Sequence, residues 1–260
     1  MPFTLCHPAI VLPLYRYRRI MSLPGLVIGS MAPDFVYFFS LGISGSFTHT
    51  PLGVPLYCLP AGLLLYFVYQ LLVREPVLAW LPRAISTRMG GPVHWPLRGA
   101  PSMIIVMGSL AIGAASHIAW DSFTHANTMI VNSHEIFRTL VTLGGHQIPL
   151  FKILQQLSNL IGFIVIAGFL ALWFKRTVPG GTSTRSLNTR QRLLAFAVVA
   201  MAGIAGGAAG LVVRHQKTIE HGLFNFVVTG MAAAALAILC LCVLWQVRAR
   251  SQGWLDSAAS

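Results

Sequence analysis

The sequence predicts an all-α polytopic bundle of transmembrane helices, and three observations carry that expectation. The first is composition: 55% of the residues are hydrophobic and only 9% charged, with a mean hydropathy of +0.71, too little charge to solvate the surface of a water-soluble domain. The second is a set of five apolar runs, at 53–73, 101–120, 157–174, 193–213 and 223–247. Each is about 18–25 residues long without a charged side chain, enough to cross about 30 Å of hydrocarbon. The third is where the charge lies. The net charge of +12 is gathered between the runs, the pattern that orients helices in a membrane, and it calls for no nucleic-acid partner.

Taken in order, the first fifty residues are expected to add one or two short or broken membrane helices to the five spans. Residues 9–15 form a short apolar run broken by Pro13, and 24–43 is span-length but carries Asp34 at its middle. Pro33 disfavours a helical Ala32 and so divides 24–43 into two pieces with Asp34 at the break. Residues 3–15 then descend, Arg16 to Arg19 turn, and 24–33 climbs back. The start Met1-Pro2-Phe3 lacks the basic residues of a signal peptide, so this segment is expected to stay in the mature protein.

If each span crosses once, four basic groups share one side: Arg16 to Arg19; Arg74, Arg83, Arg88 and Arg98; Lys175, Arg176, Arg185, Arg190 and Arg192; Arg248 and Arg250. That side, with the C-terminus, is expected to be cytoplasmic in a bacterial inner membrane, and loops 44–52, 121–156 and 214–222 face outward. The connector 177–192, with Pro179, Gly180 and Gly181 as breakers, separates a motif-bearing part, 1–176, from 193–260, two further helices of the same membrane domain. The Ala/Gly-rich stretch 201–210 suits close helix packing in lipid. Cys6, Cys58, Cys240 and Cys242 show no paired ligand spacing and are read as packing residues.

The chemistry is concentrated elsewhere. With only six carboxylates in 260 residues, Asp34 and Asp121 inside apolar segments demand a function. His117, Asp121 and His125 follow one another at intervals of four and share one stripe of a helix, each about 40° from the last. Neighbours lie about 6 Å apart along the axis, so two side chains can reach one ion at about 2 Å. The outer pair, about 12 Å apart, cannot, which makes Asp121 the natural bridge between two metals, with His117 on one and His125 near the other. The membrane path described above brings His7, Asp34 and His49 to the same outward end. Mixed imidazole and carboxylate donors suit one or two zinc ions, with manganese or iron as alternatives.

Around these ligands, Thr48, Ser116, Ser122 and Thr124 are positioned to orient them by hydrogen bonds. Gln155, Gln156 and Ser158 either face the same cavity or join helices. His134, Glu135 and His146 are read as a solvated loop, and His94, His215 and His221 as interfacial or loop residues.

The order Thr-x-x-His at 4–7, Gly-x-x-x-Pro-Asp at 29–34, Thr48-His49 and His-x-x-x-Asp-x-x-x-His at 117–125 resembles the zinc-dependent phospholipase C and nuclease superfamily and its membrane-bound metal-dependent hydrolase relatives. The opening Met-Pro-Phe-Thr-Leu-x-His-Pro, Gly-Ser-Met-Ala-Pro-Asp-Phe and Ser-His-x-x-Trp-Asp-Ser-Phe-Thr-His resemble more closely a bacterial membrane family, domain-of-unknown-function family 4184, over most of residues 1–165. The superfamily resemblance implies one metal on Asp34, His49, His117 and Asp121, and a second on His7 with Asp121 bridging and His125 completing the cluster. Asp34 and Asp121 are then the expected catalytic carboxylates. The downstream His-x-x-x-Glu of the soluble enzymes is absent from this chain.

The expected function is a membrane-embedded hydrolase of a phosphoester, of a lipid or a lipid-linked substrate, at the outward face. Two alternatives belong to other classes: a proton- or metal-coupled transporter using the same His and Asp residues as a relay, and a non-catalytic membrane protein with a structural metal.

Overall fold

The computed structural model describes residues 4–39, 42–89, 100–126, 128–180, 187–213 and 218–252. His94, His215, part of the 177–192 connector and the basic residues of 214–217 lie outside them. Among the described residues five helices are long and apolar enough to cross a membrane: Val54–Trp80, Ser102–Ser133, Leu150–Arg176, Thr189–Val213 and His221–Ser251. They coincide with the five apolar runs, and this is a helical integral membrane protein with almost no sheet. Many of its large apolar side chains are exposed, Leu160, Ile164 and Leu170 of one helix among them, an arrangement that water would not tolerate and lipid solvates.

The chain falls into two compact units. The first, residues 1–36, 41–66 and 93–176, begins with a 3₁₀ turn, Thr4–Cys6, then α1 (Pro8–Val11) and a second 3₁₀ stretch, Leu12–Tyr17. After the Arg16–Arg19 turn comes α2 (Leu23–Gly29), started by Ser22, whose hydroxyl accepts from the Gly25 N–H, and by Pro24 in its first turn, both favoured at a helix N-terminus. The expected break at Pro33 is present: α2 stops, Ala32–Asp34 forms a 3₁₀ turn, and α3 (Phe35–Phe39) follows. A short α4 (Gly45–Thr48) leads to the first long helix, which opens with a wider π turn at Val54–Cys58, continues as α5 (Leu59–Val68) and passes through a second π turn at Tyr69–Val73 into α6 (Arg74–Trp80).

After α7 (Arg83–Met89), α8 (Ala100–Thr124) is the central helix of the first unit. It packs along α2 in parallel: the Ser22 N–H donates to Ser109 Oγ at 2.9 Å at one end, and His117 reaches Ser30 at the other. Between them the two backbones touch, because a Cβ on Gly29 would collide with the Leu110 carbonyl and one on Gly113 with the Leu26 carbonyl and the Ser30 nitrogen. Tyr66, Val106 and Leu110 form a buried cluster there, with Ile28, Leu59 and Leu63 packed against it.

The segment after α8 differs from an unstructured outward loop. It holds α9 (Met129–Ser133), a 3₁₀ turn at Glu135–Arg138 and an antiparallel hairpin of β1 (Leu140–Leu143) and β2 (His146–Pro149), paired Leu140 to Pro149 through Leu143 to His146. Gly144 and Gly145, at φ 56° and 82°, make the two-residue turn whose left-handed backbone glycine adopts without strain. α10 (Leu150–Arg176) follows and starts seven residues before the charge-free run, since one lysine, Lys152, does not interrupt a helix.

The second unit comprises residues 37–40, 67–92 and 177–260. Its two long helices, α11 (Thr189–Val213) and α12 (Ile219–Ser251), pack through the predicted small residues. Gly206 lies on Ala233, Gly207 on Phe226 and Gly210 on Thr229, the close approach that holds helices together where lipid supplies no hydrophobic drive.

Candidate metal centre

Every ligand expected from the sequence is in the first unit, and they converge. Asp34 arrives on the 3₁₀ turn that Pro33 imposes, His49 caps the end of α4, His7 sits at the start of α1, His117 and Asp121 lie one turn apart on α8, and His125 follows directly after the helix, its N–H donating to the Asp121 carbonyl. Asp34 is 1% exposed, His117 0%, His7 4% and Asp121 5%. Two carboxylates buried to that degree require compensating positive charge.

The inner arrangement has four donors. His49 Nε2 lies 3.4 Å from Asp34 Oδ1 and 3.5 Å from Asp121 Oδ2, while His117 Nε2 lies 3.7 Å and 3.3 Å from the same two oxygens. A tetrahedron with zinc–ligand bonds of about 2.0–2.1 Å has edges of about 3.3–3.4 Å, and these imidazole–carboxylate separations of 3.3–3.7 Å are close to that spacing. Asp121 turns its other oxygen the opposite way: Oδ1 is 3.0 Å from His7 Nε2 and 3.4 Å from His125 Nδ1. The His7 ring stacks on His117, with centroids 3.7 Å apart. His7, Asp34 and His117 form a second group able to hold an ion, beside that of His49, His117 and Asp121. One carboxylate thus faces two pairs of histidines, His49 and His117 through Oδ2 and His7 and His125 through Oδ1.

Tautomers decide what the inner histidines offer. His117 Nδ1 donates to the Ser30 carbonyl at 2.7 Å, and His49 Nδ1 to the Gly45 carbonyl at 2.7 Å. A ring that is neutral in this tautomer turns its Nε2 lone pair toward carboxylate oxygens, the second-shell arrangement that prepares imidazole for a metal. Among the described residues His117 Nε2 and Asp34 Oδ1 have no hydrogen-bond partner. With the rings neutral, acceptor would face acceptor, which is repulsive unless a proton or a metal cation lies between; a metal ion fits the residues in that place. The same field acts on protons. Burial of the His49 ring opposes its charge, but the Asp121 and Asp34 carboxylates outweigh burial and push its pKa up to about 10.

The supporting residues divide. Thr48 Oγ1 donates to the Pro33 carbonyl at 2.8 Å, tying the His49 loop to the turn that carries Asp34. Ser116 and Ser122 donate to carbonyls of their own helix, Gly113 and Ala119, and Thr124 Oγ1 is 3.3 Å from His125 Nδ1. Gln155, buried, donates to His125 Nε2 at 3.4 Å. His125 therefore touches the centre through Nδ1 while its other nitrogen is engaged. Gln156 is exposed and accepts from Asn159. His134, Glu135, His146 and His221 are exposed.

Three contributors had no assigned role in the sequence: Thr4, whose hydroxyl donates to Asp34 Oδ2 at 2.7 Å, and the Ser30 and Gly45 carbonyls. Thr4 was visible in the Thr-x-x-His order; a backbone carbonyl leaves no residue-type signal. No curated protein and no solved structure matches the chain. A family model described as Domain of unknown function (DUF4184) matches residues 1–243, a stretch that includes every residue of the centre, and the chain belongs to that family.

Proposed function

We propose that this protein is a membrane-embedded, metal-dependent hydrolase that cleaves a phosphoester at the outward membrane face. The observation that carries the reading is the inner group of four: two imidazoles, oriented by backbone carbonyls, each facing both Asp34 and Asp121.

Asp34, His49, His117 and Asp121 would hold one zinc, and His7, with Asp121 bridging, the start of a second site. A bound zinc supplies Lewis acidity toward phosphoryl oxygens and makes water an effective nucleophile near neutral pH. The chain's own part is positional. Thr4 and the Ser30 and Gly45 carbonyls fix the ligands before any ion arrives. Asp121 shares its two oxygens between the histidine sets, and the partly exposed side chains of His49 and His125, 19% and 22%, mark the side on which a substrate enters.

The test is turnover in vesicles. Purified protein reconstituted with zinc is expected to hydrolyse p-nitrophenyl phosphodiester or phosphatidylglycerol, with activity lost in Asp34→Asn. Metal-loaded protein without hydrolysis of either would defeat the reading, and zinc flux across the vesicle would favour a transporter.

A further inference from the structure

The first unit holds a cavity that the metal chemistry does not use. It has a volume of about 160 Å³ and lies between α1 and α10, walled by Cys6, Ile10, Trp120, Ile161 and Val165, with His7 at its inner end. The walls are almost wholly apolar. Its outer edge is continuous with the lipid-facing surface: Ile10 is 39% exposed, Trp120 42%, Ile161 57%, and Ile164 on the same helix 61%. The slot exists because Gly162 lets α10 approach Cys6 closely, a Cβ there being only 2.9 Å from the Cys6 Cβ.

Its inner end is polar. His7 is 4% exposed, its Nε2 is 3.0 Å from Asp121 Oδ1, and its Nδ1 has no hydrogen-bond partner among the described residues. An apolar slot that opens to lipid and closes on an unmatched polar atom fits an amphiphile: hydrocarbon against the walls, a polar group at the histidine.

We propose that this slot holds an acyl chain of a membrane lipid and presents the lipid's polar end to His7 and the metal centre. The substrate is then an acylated phosphoester that enters sideways from the bilayer. The slot itself stands on its own walls; only the fate of the headgroup rests on the hydrolase reading. Because His7 separates the cavity from Asp121 by one side chain, a chain lying in the slot brings its headgroup to the cluster without leaving the membrane.

The experiment uses full-length protein in phosphatidylglycerol vesicles doped with a phospholipid carrying a diazirine on its acyl chain. After photolysis the labelled peptides are mapped, and bound metal is measured on the same samples. The expected result is labelling of 6–10 and 158–165 above that of the lipid-facing residues of α12, with the excess lost in both Ala9→Phe and Val165→Phe, whose side chains fill the slot. Uniform labelling of all lipid-facing helices, an excess that survives both fillings, or crosslinks to a second copy of the chain through these residues would overturn the proposal. A labelled slot in protein without metal keeps the lipid site and removes the hydrolase reading; metal without the excess does the reverse.

Discussion

Asp121 is the residue on which the centre turns, because its two oxygens meet four histidines at 3.0–3.5 Å. Asp121→Asn keeps the volume but removes the charge and replaces one acceptor with a donor aimed at imidazole nitrogens. Metal affinity is expected to fall by more than the roughly 10–100-fold typical of an outer hydrogen-bond partner, with the helical circular dichroism unchanged. Thr4→Val tests such an outer partner. It removes the 2.7 Å hydrogen bond to Asp34 Oδ2, and titration with zinc should show an affinity lower by about 10–100-fold. Ser122→Ala, which loses only a bond to its own helix at Ala119, should leave affinity as it is. Equal losses in Thr4→Val and Ser122→Ala would mean that these hydroxyls do not orient the ligands.

At the scale of elements, the crossing of α2 and α8 decides whether the ligands meet. Gly113 lies one turn before His117, and its neighbours across the crossing are backbone atoms of Leu26 and Ser30. Backbone cannot swing aside as a side chain does, so Gly113→Leu is expected to reach or pass the upper end of the roughly 1–3 kcal/mol typical of overpacking, lowering the thermal midpoint in detergent. It should also lose metal, since the Ser30 carbonyl is carried away from His117. Gly108→Leu on the same helix, where nothing lies within 4 Å, should change neither; matching effects of the two substitutions would sink the crossing argument.

The five spans were legible because an uncharged run of span length has few other uses, and the break at Asp34 because Pro33 restricts Ala32. The stripe of His117, Asp121 and His125 was legible from helical period alone. Two things were hidden. The β1–β2 hairpin has only four residues per strand, and its Gly144-Gly145 turn sits within a segment otherwise read as loop. The orientation of His117 depends on the Ser30 carbonyl, a group every residue carries. The slot beside His7 was hidden for a related reason, since it arises where α10 meets Cys6 and no local pattern marks that meeting.

For the whole molecule, the membrane path and the metal are linked. α2 and α8 pack in parallel, which supports the reading that the basic segments before each start on one side and that the ligands meet on the other. We propose accordingly that the hairpin end faces outward and the C-terminus is cytoplasmic. Arg138→Cys should react with an impermeant maleimide in intact cells and Ser251→Cys only after permeabilisation; the opposite order would invert the topology. The central claim is that burial of Asp34 and Asp121 is balanced by a bound metal ion, and elemental analysis of the detergent-purified protein tests it most directly. The account predicts one or two zinc, manganese or iron ions per chain, retained on dialysis, released by chelator with a lowered thermal midpoint, and missing from Asp121→Asn and His117→Ala variants that remain helical. Wild-type protein that carries no metal and binds none when zinc is supplied would contradict it.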